Sequence, residues 1–174
     1  VVMTAGLDKN GDFIESLGAL GFGFIEVGTV TPLAQDGNPK PRIFRVFKEN
    51  AIINRLGFNN KGVDYLVKKL ESRKYKGVVG VNIGANKESK GDKRITDYVE
   101  CFKKVYVLSD YITINISSPN TPDLRDLHSK ENIYNLLKSL DSQRQSFNTK
   151  KPVFLKISPD ESPETLQIIL DAVR

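Results

Sequence analysis

Five short apolar runs alternate with five stretches of helical periodicity, and this alternation narrows the fold more than any other feature of the chain. The runs cover residues 1–5, 24–30, 77–84, 112–116 and 153–157. Between them, apolar residues recur at helical spacing over 12–20, 62–73, 95–108 and 130–147. A last helix opens at Ser162-Pro163, with serine as N-cap and proline in the first helical position. Each run reads as apolar on both faces, which predicts parallel strands covered by helices. One excursion breaks the rhythm, over 33–54. It is turn-rich at first and then reads as a small hairpin, 42–47 against 51–54. A connection this long is more often functional than idle.

Two folds satisfy the alternation. A (β/α)8 barrel needs about 250 residues, so 174 residues would supply five of its eight units. A complete open, doubly wound sheet fits the length better. The polar residues favour the barrel. Asp8, Lys9, Thr29, Asn82, Asn115, Ser117, Ser118 and Lys156 stand at successive strand C-termini. A barrel gathers all those ends at one mouth, whereas an open sheet uses one switch point.

Bulk properties exclude several alternatives. Apolar content of 39% and charged content of 27% describe a globular domain rather than a disordered chain. The net charge of +5 comes largely from scattered lysines on predicted helices, such as Lys68, Lys69, Lys103 and Lys104, and reads as a solvated face. No basic patch interleaved with aromatics argues for nucleic acid. The single cysteine, Cys101, and single histidine, His128, give no metal-ligand spacing and no histidine-based triad. Cys101 reads as packed helix and His128 as a loop residue. No apolar run reaches the ~20 residues of a membrane span. The chain opens in mid-strand at Val1-Val2-Met3, so the absence of targeting segments carries no weight.

The strand tips are rich in amides: Asn54, Asn59, Asn60, Asn82, Asn86, Asn115 and Asn120. An amide both donates and accepts, so the set suits a planar ligand edged with C=O and N–H groups, such as a flavin or a pyrimidine. Fixed positive charge comes from Lys9 and Lys156, with Arg55 or Arg125 possible from loops. That suits one carboxylate or negative charge developing on a reduced ring. Asn59 and Asn86 are equally explained as turn residues, and Lys9 alone as a surface lysine. Asn82 and Asn115 lie inside strands, where asparagine is unfavourable, and Lys156 interrupts an apolar strand. For these three a ligand is the better explanation. With no histidine at the tips, Ser118 is the candidate for proton transfer, although serine is a poor base without help from its surroundings.

Several blocks together resemble the dihydroorotate dehydrogenase family. They are Ala5-Gly6-Leu7-Asp8-Lys9, Gly28-Thr29-Val30-Thr31-Pro32, Asn54-Arg55-Leu56-Gly57-Phe58-Asn59-Asn60, Val81-Asn82-Ile83-Gly84, Asn115-Ile116-Ser117-Ser118-Pro119-Asn120-Thr121-Pro122 and Leu155-Lys156-Ile157-Ser158-Pro159-Asp160. The resemblance implies an FMN-containing (β/α)8 barrel that oxidises dihydroorotate to orotate in pyrimidine synthesis. It places Thr4, Ala5, Gly6, Leu7, Asp8 and Thr29 against the flavin, with Asn82, Asn115 and Lys156 bonding it. Lys9, Asn54, Arg55, Leu56, Gly57, Phe58, Asn115 and Asn120 would bind substrate. Ser118 would be the base at C5 while hydride leaves C6. Serine there resembles the membrane-associated, quinone-using class, in which a separate N-terminal segment meets membrane and quinone. That implies a home at the cytoplasmic membrane of a bacterium or the mitochondrial inner membrane. Thr4, Ala85, Asp123 and Ser158 depart from the family pattern; apart from Thr4 at the flavin, none is among the residues given a role.

On these expectations residues 1–174 are one incomplete barrel domain. Five units leave two raw sheet edges, so the 174 residues alone are expected neither to hold FMN stably nor to turn over. Other readings stay open at this point: a different flavin barrel, a half-barrel completed by a partner chain, or a binder of sugar phosphates without redox chemistry.

Overall fold

The computed structural model describes residues 1–118 and 129–173. Its central feature is a parallel sheet of five strands in the order β1 (Val2–Met3), β2 (Phe24–Val30), β5 (Val78–Ile83), β6 (Tyr111–Asn115), β7 (Val153–Lys156). Neighbours follow chain order, as in a wall of a barrel rather than a doubly wound sheet. Helices α1 (Ile14–Ala19), α2 (Val63–Glu71), α3 (Asp92–Val105), α4 (Lys130–Gln145) and α5 (Pro163–Val173) form the connections. The structure is a partial α/β barrel. The excursion contains a separate antiparallel hairpin, β3 (Ile43–Val46) and β4 (Ala51–Asn54), with its turn at Asn50 in the left-handed region.

One face of the sheet is a dry core. Ile25, Val27, Val79, Val81, Ile112 and Ile114 are fully buried there, with Leu66, Tyr98, Phe102 and Leu136 from the helices. Cys101 is in this core as expected, and burial pushes its thiol up. Lys69 and Lys104 instead pair at the surface, with Asp12 and with Asp64 and Glu100. Helix α3 begins at Asp92, earlier than its apolar spacing predicts. Asp92 lies in its first turn, where an acid favours the helix dipole.

The opposite face corrects the expectation of strands apolar on both sides. In β6 the inward residues are Tyr111, Thr113 and Asn115; in β2 they include Phe24 and Glu26; in β7, Phe154 and Lys156. They form layers. Tyr111 packs edge-on between the rings of Phe24 and Phe154, at 5.9 and 5.4 Å between centroids. It lies over Gly80, where any Cβ would run into its ring. Above the aromatics come Glu26 and Thr113, and above those Thr29, Asn82, Asn115 and Lys156.

A bulge in β2 aims Thr29 into this upper layer. The pairing with β5 runs Val27 to Val81 and then Val30 to Ile83, so β2 spends an extra residue. Gly28 makes the irregularity possible. Its φ is +110°, and a Cβ there would run into the Asn82 carbonyl oxygen. Gly28→Ala in the full-length protein is expected to cost about 3 kcal/mol, combining positive-φ strain and overpacking. Thermal unfolding checks this, and an unchanged Tm would contradict it.

Candidate functional site

A cavity of about 810 Å³ opens on the inner face at the C-terminal ends of the strands. That is an ordinary size for a small-molecule or cofactor site. Its polar wall is a single hydrogen-bonded net. The Asn115 side-chain nitrogen donates to Thr29 Oγ1 at 2.9 Å and to Asn82 Oδ1 at 3.1 Å. Thr29 Oγ1 donates to Asn82 Oδ1 at 2.6 Å. Asn115 Oδ1 accepts from the Ser117 backbone N–H at 3.1 Å and from Ser117 Oγ at 2.9 Å. Lys156 Nζ donates to Ser117 Oγ at 2.7 Å. Below, Asn82 Nδ2 donates to Glu26 Oε1 at 2.9 Å, and Thr113 Oγ1 to Glu26 Oε2 at 2.8 Å.

The strands cause this convergence. Ile83 pairs with Ile114 and Asn115 with Lys156, so the polar tips of neighbouring strands lie side by side. Asn115 ends its strand, and its side chain then caps the turn that carries Ser117. Ser118 follows directly and also lines the cavity. Thr4, Ala5 and Gly6, with Lys9, line the cavity beside this net, where the Gly6 N–H donates to the Gly28 carbonyl at 2.9 Å. Gly6 has a φ of +117°, and a Cβ on it would meet nothing, so the backbone there faces open space. Asn54, Leu56, Gly57 and Phe58 close the site from the excursion.

Lys9 is the second cation of this wall. Burial, and then the charge of Arg42, lower its ammonium to about 8. Lys9 also faces an adjoining cavity of about 750 Å³, together with Leu7, Asp8, Arg42 and Asn59.

Most of the expected site residues are brought together here, but not all. Leu7 is 67% exposed and lines the adjoining cavity. Asp8 is buried, and its carboxylate accepts from the backbone N–H groups of Asp12 and Phe13, which holds the entry to α1. Arg55 does not line the main cavity; its guanidinium donates to the Pro41 carbonyl at 2.9 and 3.1 Å. Asn120 lies outside the described residues, as do Arg125 and His128. Among the wider amide set, Asn60 braces Thr31, Phe58 and Gly62, and Asn86 braces Leu33 and Gln35. These are loop staples. Asn59 differs, because its Oδ1 is buried with no hydrogen-bond partner.

Glu26, Thr113 and Tyr111 are not among the residues expected from the sequence. A signal for them exists: with period two, Glu26 shares a face with Phe24, and Thr113 shares one with Asn115. The donor set fits a flavin-sized planar group. Amides and an ammonium line one wall, a carboxylate supports them from below, and bare glycine backbone lies open beside them.

The family model for dihydroorotate dehydrogenase matches residues 1–174. A quinone-type dihydroorotate dehydrogenase of Saccharophagus degradans is 52% identical over 177 residues, covering 99% of this chain and 52% of the relative. One from Coxiella burnetii is 55% identical over 173 residues, covering 97% and 50%. Among solved structures, a DHODH of Eimeria tenella in complex with ferulenol superposes with a TM-score of 0.90 at 37% identity, covering 99% of this chain and 52% of that one. The ligand-free form gives 0.89 at 38%. The chain spans about half the length of the curated relatives it matches.

Proposed function

The chain belongs to the dihydroorotate dehydrogenase family, and from that premise we propose that it forms the FMN- and substrate-binding wall of a quinone-dependent dihydroorotate dehydrogenase. The observation that carries this reading is the single net of Thr29, Asn82, Asn115, Ser117 and Lys156 on one cavity wall, with Ser118 at its rim. FMN, when bound, would supply the hydride acceptor and pass the electrons on to a quinone.

The residues of the chain do the rest. Asn82, Asn115 and Lys156 hold the polar edge of the ring, and Ala5 and Gly6 let it approach the backbone. Lys9 holds the carboxylate of dihydroorotate, with Asn54 and the 56–58 loop around it. Ser118 Oγ takes the proton from C5. The electron pair of that C–H bond becomes part of the C5=C6 double bond of orotate as hydride leaves C6. Among the described residues no helix is long and apolar enough to cross a membrane. Membrane attachment would then rest on other parts of the protein.

The test is an orotate titration of the full-length protein followed by its absorbance. Flavin bands are expected, and orotate should perturb them. A colourless protein, or flavin bands indifferent to saturating orotate, would overturn the reading. The titration also carries a pH dependence. Lys9 is charged below about 8 and neutral above it. Orotate affinity should therefore fall as pH rises through that value, and Lys9→Met should remove the step.

A further inference from the structure

We propose that Glu26 is a positioning residue whose carboxylate forms the acceptor end of the amide net, fixing the Asn82 amide and so the edge it offers to the bound ring. The proposal rests on the reading above that the cavity takes a planar ring edged with C=O and N–H groups.

An asparagine side chain can present either its oxygen or its nitrogen, and a threonine hydroxyl can donate or accept. A net built from Asn82, Asn115 and Thr29 alone therefore has no preferred direction. An ionised carboxylate only accepts. Glu26 Oε1 takes the Asn82 nitrogen at 2.9 Å, so Asn82 Oδ1 must point up the wall. That oxygen receives Thr29 Oγ1 and the Asn115 nitrogen. Asn115 Oδ1 faces Ser117, whose backbone N–H and Oγ both donate to it and whose Oγ accepts from Lys156, so donors hold this end of the net as the carboxylate holds the other. Every bond in the chain from Lys156 to Glu26 runs in one direction, and the carboxylate is where it ends.

The rest of Glu26's surroundings suit a fixed acceptor. Oε2 is occupied by the Thr113 hydroxyl at 2.8 Å. Tyr111 lies against the same carboxylate, and burial, with that charge beside it, holds its phenol protonated far above its usual range. No lysine or arginine is paired with Glu26 among the described residues. Here its acceptors are spent on the amide and hydroxyl that orient the layer above.

The test uses the full-length protein and the FMN affinity of its apo form, measured by flavin fluorescence. Asn82→Asp sets two carboxylates against each other and should weaken FMN at least ~10-fold. Adding Glu26→Gln to it exchanges amide and carboxylate between the two positions. The amide introduced at position 26 can then donate up the wall to the carboxylate introduced at position 82. That carboxylate still accepts from Thr29 and Asn115, and although position 82 can then no longer donate to the ring, affinity should recover at least ~3-fold over Asn82→Asp alone. Glu26→Leu, which removes the acceptor, should weaken FMN ~10-fold. The inference fails if the exchanged double variant binds no better than Asn82→Asp. It also fails if Glu26→Leu lowers Tm while leaving FMN affinity unchanged, as a purely structural residue would. Should Glu26→Leu not fold, the exchange alone decides. A wild-type protein that binds FMN while the exchange fails sinks only this inference; one that binds none sinks the proposed function with it.

Discussion

If the proposed function holds, Ser118→Ala in the full-length protein is expected to slow the reduction of bound flavin by dihydroorotate ~10²–10⁴-fold, the range for losing a positioned proton acceptor. Orotate affinity should change little. The split follows from how the loop is held. Asn115 fixes Ser117 through both its backbone N–H and its hydroxyl, so the turn keeps its shape when the next side chain is shortened. The alanine leaves the amide net and both lysines in place. It removes only the oxygen that would receive the C5 proton. Among the described residues that line the cavity, the other groups able to take a proton are poor substitutes. Glu26 lies below the amide layer and is committed to Asn82 and Thr113, and Lys9 is needed as a cation. Rapid mixing with dihydroorotate, monitored at the flavin bands, measures the step directly. A rate equal to wild type would remove Ser118 from the chemistry.

The framework is readable from the sequence because buried parallel strands and amphipathic helices leave strong periodic signals. The strand at 24–30 is found where its apolar run lies, and α2 and α4 begin within a residue of their expected starts. Asn82 and Asn115 are legible for a different reason. Asparagine disfavours a strand, so its presence there demands a partner, and the structure supplies one. Other features depend on tertiary neighbours that no local pattern reports. Asn60 and Asn86 look the same as Asn82 in composition, but they face the loops of the excursion and brace them. Asp8 sits in a family-like block yet caps the entry to α1. The inner face is only half legible: period two sets Glu26 with Phe24 and Thr113 with Asn115, but nothing local says that this face turns inward. Only closure of the wall around them turns them into an interior layer.

Lys156→Met is expected to weaken FMN binding by the apoprotein ~10–100-fold, while the fold survives. Methionine keeps the length and the apolar stem and deletes the charge, so the loss measures the ammonium alone. Charge-assisted hydrogen bonds contribute about 1.5–3 kcal/mol, which corresponds to that range in affinity. The ammonium has three donors. Ser117 Oγ takes one at 2.7 Å, and Ser117 is already anchored to Asn115, so that bond does little for the fold. The carboxylate on this wall is occupied lower down by Asn82 and Thr113. The charge of Lys156 therefore has more to offer an electron-rich ring than to offer the protein. Ser117→Ala separates the two roles: it removes the anchor but keeps the cation, and should cost less FMN affinity than Lys156→Met. Equal losses in both variants would mean that Lys156 acts through Ser117 and not on the ligand, and FMN affinity unchanged by Lys156→Met would exclude it from the site altogether.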